Sequence, residues 1–136
     1  MLNLLDKIIS TGNIKKIIWI GKSLGTSMIR TCLKMKRIDE DSPLILITPN
    51  SEWSSFIPEL LEVKNPLFLC GSRGDQLFNV NNLEDIYKKV NLSLCEFEYG
   101  DHSIEVGNTI KNIENIKRVM LMMEDFVTKL GIKQDI

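Results

Sequence analysis

The sequence predicts an α/β domain in which a four-stranded parallel sheet is flanked by helices. Helical and strand-like patterns alternate along the chain, as connections between parallel strands require. Two strand-like runs, residues 44–48 and 66–70, are apolar on both faces, which is typical of strands buried in a parallel sheet. The 136 residues contain no repeat and no Pro/Gly-rich linker, so residues 1–136 are predicted to form a single domain.

The first half of the chain is predicted to contain a helix, a strand and a second helix. Apolar residues at helical spacing open the chain, and turn formers at 10–13 end the pattern; these apolar residues are Leu2, Leu5, Ile8 and Ile9. The β-branched run from Lys16 to Ile20 predicts the first strand. The next helix is expected to pack one apolar face against the core, formed by Leu24, Met28, Cys32 and Met35.

The second half predicts three more strands and a long C-terminal helix. Residues 44–48 and 66–70 are strands, and the connection 49–65 is expected to hold a helical turn or two. A short helix is predicted from Leu83, Ile86, Tyr87 and Val90. Residues 92–99 predict the fourth strand, which alternates from Cys95 onward as an edge strand does. The last helix is predicted from near Asn108 to Leu130, with Gly131 as its C-cap and one core-facing side made of Ile113, Ile116, Met120, Met123, Val127 and Leu130.

Charge and cysteine content narrow the class of function. Seventeen basic and eighteen acidic side chains give a net charge of −1, which offers no electrostatic basis for binding nucleic acid or a membrane. The odd number of cysteines, without C-x-x-C spacing, predicts buried thiols in a reducing compartment. No apolar run is long enough to span a membrane, so a cytoplasmic protein is expected, with neither a metal nor a cofactor.

Ser23 stands at the predicted turn between the first strand and the following helix. A serine there sits on strained backbone that exposes its hydroxyl, and Gly21 and Gly25 on either side are expected to let neighbouring chain pass without a Cβ clash. The end of a phosphate-binding loop is an alternative, but that motif requires a glycine where Lys16 stands. A structural turn with an idle serine is the second alternative.

Three predicted strands are followed by residues that hydrolytic chemistry uses, namely Ser23, Asp75 and His102. The carboxyl ends of parallel strands lie at one edge of the sheet, so these side chains are expected to meet. A serine hydroxyl needs an imidazole to remove its proton, and the imidazole needs a carboxylate to orient it. Competing carboxylates are Asp101, which adjoins the histidine, and Glu105, which is expected to face solvent; Asp75 is the predicted partner.

With these residues identified, the sequence resembles the α/β-hydrolase superfamily, in particular its small, lidless, esterase-like members. The resemblance covers nearly the whole chain and rests on Gly-Lys-Ser-Leu-Gly at 21–25, on residues 67–75 and on Gly-Asp-His-Ser-Ile at 100–104. It implies that Ser23 is the nucleophile, His102 the general base and acid, Asp75 the orienting carboxylate and the backbone N–H of Leu24 an oxyanion donor.

The same resemblance suggests an acyl pocket after the second strand. Trp53 and Phe56 lie in that connection and could line such a pocket, although packing against the sheet is the alternative. The chain departs from the family in lacking the strands that precede the nucleophile strand, together with the loop that supplies the second oxyanion donor.

Two functions are therefore expected. The first is a serine carboxylesterase that cleaves small acyl esters through an acyl-enzyme. The alternative is a non-catalytic or weakly active half-fold protein, acting as a binding subunit or as a fragment of a larger hydrolase. Because the first strand, from Lys16 to Ile20, would be an unpaired apolar edge, the chain is expected to form a homodimer or heteromer through it.

Overall fold

The structure is a computed structural model that describes residues 2–12, 14, 16–78, 83–89 and 91–132. The described elements alternate as the sequence predicts: α1 (Leu2–Ser10), β1 (Trp19–Ser23), α2 (Leu24–Lys34), β2 (Leu44–Pro49), α3 (Trp53–Glu62), β3 (Leu67–Ser72), α4 (Leu83–Ile86), β4 (Leu92–Phe97) and α5 (Thr109–Lys129).

The four strands form one parallel sheet in the order β1-β2-β3-β4. Chain order and spatial order are the same, so every connection runs from one strand to its immediate neighbour. The prediction of a four-stranded parallel sheet flanked by helices is confirmed. All four carboxyl ends lie at one edge, where β1 ends at Ser23 and β3 ends three residues before Asp75.

The first strand lies three residues later than predicted. Trp19 pairs with Leu44, the first residue of β2, and its N–H donates to the carbonyl of Pro43. In the register of the sheet, residues 16–18 lie before the first residue of β2 and therefore have no partner in that strand. At the other end, pairing continues to Ser23, which lies opposite Pro49 after a register shift. β1 is thus five residues long and ends on the serine itself.

Other predicted boundaries shift by smaller amounts. The connection 49–65 holds a full ten-residue helix, α3, rather than one or two turns. The short helix α4 ends at Ile86, so Tyr87 lies beyond it and is exposed. The side chains of Leu2, Leu5 and Leu83, and Val90 as a whole, lie outside the described residues.

The two faces of the sheet carry separate hydrophobic clusters. On one face, α2, α3 and α4 cover the sheet with residues that include Ile29, Cys32, Trp53, Phe56, Leu60 and Ile86. On the other face the helical contribution comes from α5, and the cluster is Ile45, Phe68, Cys70, Cys95, Phe97, Ile104, Val119, Phe126 and Val127. All three cysteines are buried free thiols, as predicted.

The core-facing side of α2 differs from the predicted one. Of Leu24, Met28, Cys32 and Met35, Cys32 alone is buried, and the helix instead buries Thr26 and Ile29 with it. The cause is the close approach of α2 to β1 at Gly21, whose neighbours are the backbone of Gly25 and the side chain of Ile29. That contact turns Ile29 and Cys32 towards the sheet and leaves Leu24 and Met28 exposed.

The predicted core face of α5 is also only partly correct. Val127 is buried and Met123 and Leu130 are half-buried, but Ile113, Ile116 and Met120 are exposed. The buried residues of the helix are Val119, Phe126 and Val127. The reason is that α5 contacts chiefly β3 and β4, which leaves its flank towards β1 and β2 largely exposed.

The start of α5 follows the prediction, whereas its end lies one residue earlier, since the helix ends at Lys129 and Leu130, not Gly131, is the C-cap. The side chain of Asn108 accepts a hydrogen bond from the Lys111 N–H, and Gly131 adopts φ 69° just past the last turn. No helix in the described ranges has both the length and the apolar character needed to cross a membrane.

Candidate active site

Ser23 occupies a backbone conformation that few non-glycine residues adopt. Its φ is 51° and its ψ is −116°, at the junction where β1 ends and α2 begins. The hydroxyl of Thr26 donates to the Ser23 carbonyl at 2.6 Å and fixes the turn from the helix side. This is the sharp strand-to-helix turn that the sequence predicts.

The two flanking glycines play different parts. A Cβ on Gly21 would lie 2.7 Å from the Gly25 carbonyl oxygen and 2.8 Å from Ile29 Cδ1, so Gly21 permits the close packing of α2 on β1. A Cβ on Gly25 would meet nothing within 4 Å. The expectation that both glycines avoid a clash is therefore right for Gly21 and wrong for Gly25.

His102 lies between Ser23 and Asp75 and contacts both. Its Nε2 is 2.8 Å from Ser23 Oγ, and its Nδ1 is 2.6 Å from Asp75 Oδ2. A carboxylate only accepts hydrogen bonds, so Nδ1 carries the proton and Nε2 is left to accept from the serine. The structure thus brings together the three residues that the sequence singled out, from the ends of three different strands.

The carboxylate of Asp75 is held on both oxygens. Oδ1 accepts the backbone N–H of Leu77 at 2.9 Å, while Oδ2 faces the histidine. The Asp75 side chain is 3% exposed and that of His102 is 32% exposed, so the ring links a buried carboxylate to an accessible hydroxyl. Such a geometry stabilises a positive charge on the ring.

The competing carboxylates have other surroundings. Asp101 Oδ1 accepts the N–H groups of Ser103 and Glu105 at 2.7 and 3.0 Å, and these bonds, that of Glu105 first, hold the pKa of Asp101 below its ordinary value. Glu105 is exposed. Asp75 is therefore the carboxylate that faces the imidazole.

Ser72 joins the two loops that carry Asp75 and His102, and the sequence reasoning assigned it no role. Its buried hydroxyl donates to the Gly100 carbonyl at 2.8 Å and accepts the Gly74 N–H at 3.2 Å. The loops also touch directly, since a Cβ on Gly74 would lie 2.5 Å from the Gly100 oxygen. A polar residue at the end of an otherwise apolar strand was the signal that could have identified it.

The loop that follows β4 and carries His102, the histidine loop, is anchored to the hydrophobic core by Ile104. This residue adopts φ 67° and is buried in the cluster under α5. Its N–H donates to the Asp101 carbonyl, and the Asp101 N–H donates to Glu105, which closes a tight loop around His102. The ring is therefore held by a compact loop fixed at both ends.

Leu24 is the first residue of α2, directly after Ser23. The N–H groups of the first helical turn have no acceptor within the helix, and they carry the partial positive charge of the helix dipole. The Leu24 N–H is thus available to a group bound at Ser23, while the Leu24 side chain is exposed.

Trp53 and Phe56 do not reach an open pocket beside Ser23. They are 1% and 2% exposed, and the Trp53 ring stacks on Phe78 at 5.7 Å between centroids. Packing against the sheet, the alternative considered from the sequence, describes both. A surface cavity of about 510 Å³ lies elsewhere, lined by residues of β4 and α5 such as Phe97 and Arg118, and includes none of Ser23, Asp75 and His102.

Metal-binding side chains do not cluster in the part of the chain that the structure describes. No group of three or more His, Cys, Asp or Glu residues there could hold an ion.

Comparison with solved structures finds a similar fold in a hydrolase. A crystal structure of a predicted CIB-like hydrolase from Thermoplasma acidophilum superposes with a TM-score of 0.57 at 16% sequence identity. The superposition covers 88% of this chain and 57% of that one, so the chain spans somewhat more than half the length of the hydrolase it matches. No protein-family model matches the sequence, and neither does any curated protein. The chain therefore has the α/β-hydrolase fold, matched over somewhat more than half of the length of that hydrolase.

Proposed function

We propose that the protein is a serine hydrolase of the carboxylesterase type, which cleaves small acyl esters through a Ser23–His102–Asp75 triad. The observation that carries the proposal is the unbroken line of two short contacts, 2.8 Å and 2.6 Å, from the serine hydroxyl to a buried carboxylate. A strained turn that presents the hydroxyl at the start of a helix supports it further.

Acylation begins with attack of Ser23 Oγ on the ester carbonyl carbon. His102 Nε2 takes the hydroxyl proton as the new C–O bond forms, and Asp75 stabilises the resulting imidazolium. The tetrahedral intermediate collapses as the bond to the alcohol oxygen breaks. The alcohol leaves with the proton from Nε2, and the acyl group remains on Ser23 as an ester.

Deacylation repeats these steps with water in place of the serine. His102 takes a proton from the water, which attacks the acyl-enzyme, and then returns it to Ser23 Oγ as the carboxylic acid departs. The Leu24 N–H donates to the oxyanion in both intermediates. Because loss of one oxyanion donor typically lowers the rate about 10²- to 10³-fold, this N–H is expected to contribute strongly to turnover.

The surroundings of Ser23 favour small substrates. Four surface cavities of about 200 to 510 Å³ are lined by residues other than Ser23 and His102, and α2, which begins directly after Ser23, exposes Leu24 and Met28. A shallow, open site buries little of a long acyl chain, so binding energy for such a chain is limited. Short-chain esters are the proposed substrates.

The test uses a fluorophosphonate probe, which reacts with activated serines. We expect labelling of Ser23, located by mass spectrometry, and loss of labelling in Ser23→Ala and His102→Ala. Ser27→Ala is the matched control, since Ser27 lies one turn further along α2 and is partly exposed. Equal labelling of the wild type and Ser23→Ala would exclude Ser23 as the nucleophile.

A second candidate function, a binding subunit without catalysis, is favoured by the apolar surface that α5 exposes. A folded protein that is neither labelled nor active on p-nitrophenyl acetate would support this candidate. A cooperative thermal transition, measured on the same sample, distinguishes that result from a failure to fold.

We also propose a cytoplasmic location. The support is that Cys32, Cys70 and Cys95 are buried free thiols, a state that persists in reducing compartments. Cys70 and Cys95 lie side by side on β3 and β4, and the neighbouring Cys95 thiol, together with burial, raises the pKa of the Cys70 thiol.

A further inference from the structure

We propose that α5 and the uncovered part of the sheet beside it form the interface of a symmetric dimer, in which α5 of a second copy lies over β1 and β2. The proposal concerns association and does not depend on the function proposed above.

Among the described residues, the sheet surface beside α5 is apolar and partly exposed. Ile18 and Ile47 lie at the border of the hydrophobic cluster under α5, where both are half-buried. Side chains alternate along a strand, so Ile20 points to the same face as Ile18, and it is 60% exposed. We call these three residues the open face.

The orientation of α5 directs an apolar flank towards the open face. On the side towards β4, the Arg118 guanidinium lies 4.9 Å from the Phe97 ring centroid. Ile113, Ile116 and Met120 occupy the opposite flank of the helix, which is the side of β2 and β1. Each of the three is more than half exposed.

The apolar surface of α5 extends further than one sheet can cover. Ile110 and Leu121, also more than half exposed, lie on the side away from the sheet. At 3.6 residues per turn, apolar side chains are spread over about two thirds of the circumference, interrupted by Lys117 and Glu124, and the remaining third, which is polar, faces β4. A helix with so wide an apolar surface is typical of burial between two layers.

The dimensions of the open face fit one helix. Two strands at about 4.8 Å spacing span roughly 10 Å, which matches the diameter of an α-helix with its side chains. Under two-fold symmetry, α5 of each copy covers β1 and β2 of the other, and the two helices meet antiparallel along their exposed flanks. One contact thus covers the open face and the outer side of α5 together.

The charged residues within the apolar surface are compatible with this pairing. Lys117 and Glu124 lie on the exposed side of α5 and carry opposite charges. In an antiparallel pair whose two-fold axis passes between Met120 and Leu121, Lys117 of one copy lies opposite Glu124 of the second copy. The interface then leaves neither charge facing an apolar surface.

The available area is close to what a stable dimer needs. Six aliphatic side chains, each more than half exposed, contribute on the order of 100 Å² apiece. Their total approaches the roughly 800 Å² that one partner gives to a standard interface, before any contribution from the backbone and the polar rim. Those residues are Ile20, Ile110, Ile113, Ile116, Met120 and Leu121.

Sedimentation velocity over a concentration series tests the proposal. We expect the wild-type chain to sediment as a dimer at tens of micromolar, and Ile116→Glu to raise the dissociation constant at least about 100-fold, because symmetry places the substitution twice in the interface. Lys111→Gln is the matched control: it changes the net charge by the same amount on the polar side of α5 and is expected to dimerise as the wild type does. Ile116 is exposed, so circular dichroism should show an unchanged fold.

Crosslinking distinguishes this interface from the one predicted from the sequence, in which two copies pair along the backbone of the first strand. A cysteine introduced by Met120→Cys should form a disulfide-linked dimer on mild oxidation, and Lys111→Cys should not. The proposal is overturned if the wild-type chain remains a monomer at these concentrations. It is also overturned if the chain associates with a different polypeptide and not with itself. An Ile116→Glu protein that dimerises normally, or crosslinking through Lys22→Cys and not through Met120→Cys, overturns it as well.

Discussion

The loops after β3 and β4 each contain an aspartate that accepts the N–H of the residue two positions later. Asp75 binds the Leu77 N–H at 2.9 Å, and Asp101 binds the Ser103 N–H at 2.7 Å. The two turns are locally alike, yet only Asp75 contacts His102. The difference teaches that the local sequence specifies the turn, whereas the position of the loop on the sheet decides which carboxylate faces the imidazole.

Burial separates the two carboxylates further. Asp75 is enclosed, so its charge is desolvated and interacts strongly with the ring beside it. Asp101 is exposed, and its second role is to accept the Glu105 N–H and close the histidine loop. We therefore expect substitutions at the two positions to affect different properties.

The largest effect is expected for Asp75→Asn. The amide favours the wrong tautomer of His102 and cannot stabilise its cation, so turnover of p-nitrophenyl acetate should fall by about 10⁴-fold with the fold retained. Steady-state kinetics measures this, with Asp101→Asn as the matched control. If Asp101→Asn lowered turnover more than Asp75→Asn, the comparison between the two carboxylates would be reversed.

An intermediate effect is expected for Ser72→Ala, which removes the link between the two loops. The Gly100 carbonyl and the Gly74 N–H lose a buried partner, which should lower the free energy of unfolding by about 1–2 kcal/mol. Because the loops then hold His102 and Asp75 less firmly, turnover should fall by about tenfold. Urea denaturation and kinetics measure the two effects.

Ser103→Ala is the control for that experiment, since Ser103 is an exposed serine of the same loop whose backbone N–H, not its hydroxyl, bonds to Asp101. Ser72→Thr should recover part of the activity if the hydroxyl positions the loops. An Ala variant with unchanged turnover would show that the two loops hold their geometry without it.

The smallest effect is expected for Asp101→Asn, with turnover within about threefold of the wild type, because the amide oxygen can still accept the same N–H groups. Its signature is in the pH dependence of stability. The pKa of Asp101 is lowered in the folded protein, so its stabilising contribution is present above the ordinary value of 3.8 and is lost as the pH falls through the lower, folded value.

The difference in melting temperature between wild type and Asp101→Asn should therefore shrink on acidification below pH 4. A difference that stays constant down to pH 2 would show that the ionised carboxylate is not what stabilises the turn.

The sequence predicted the site more accurately than the helix faces around it. Ser23, Asp75 and His102 were identifiable because the strands are parallel and their carboxyl ends must lie at one edge. Ser72 was missed because its contacts, to Gly74 and Gly100, depend on how closely two loops approach in space. Local turn chemistry carries no information about that distance.

The core-facing sides of α2 and α5 were predicted incorrectly for a different reason. On α2, Leu24 and Met28 are as apolar as Ile29 and Cys32, so periodicity could not show which side the contact at Gly21 would turn inward. On α5, apolar residues cover more of the circumference than one sheet face buries. Trp53 and Phe56 illustrate the same limit, since a large aromatic side chain fits a pocket wall and a core equally well from sequence alone.

The backbone conformation at Ser23 exposes the hydroxyl but lowers the stability of the folded state. A non-glycine residue with φ 51° and ψ −116° costs on the order of 1–3 kcal/mol, and glycine relieves most of that strain. Ser23→Gly should therefore produce a protein that melts at a higher temperature and is not labelled by the fluorophosphonate probe. In a lineage that no longer used the hydroxyl, replacement of this serine by glycine would have no functional cost and would increase the stability of the protein. A chain that keeps serine at this position therefore retains a residue that the stability of the fold alone does not favour.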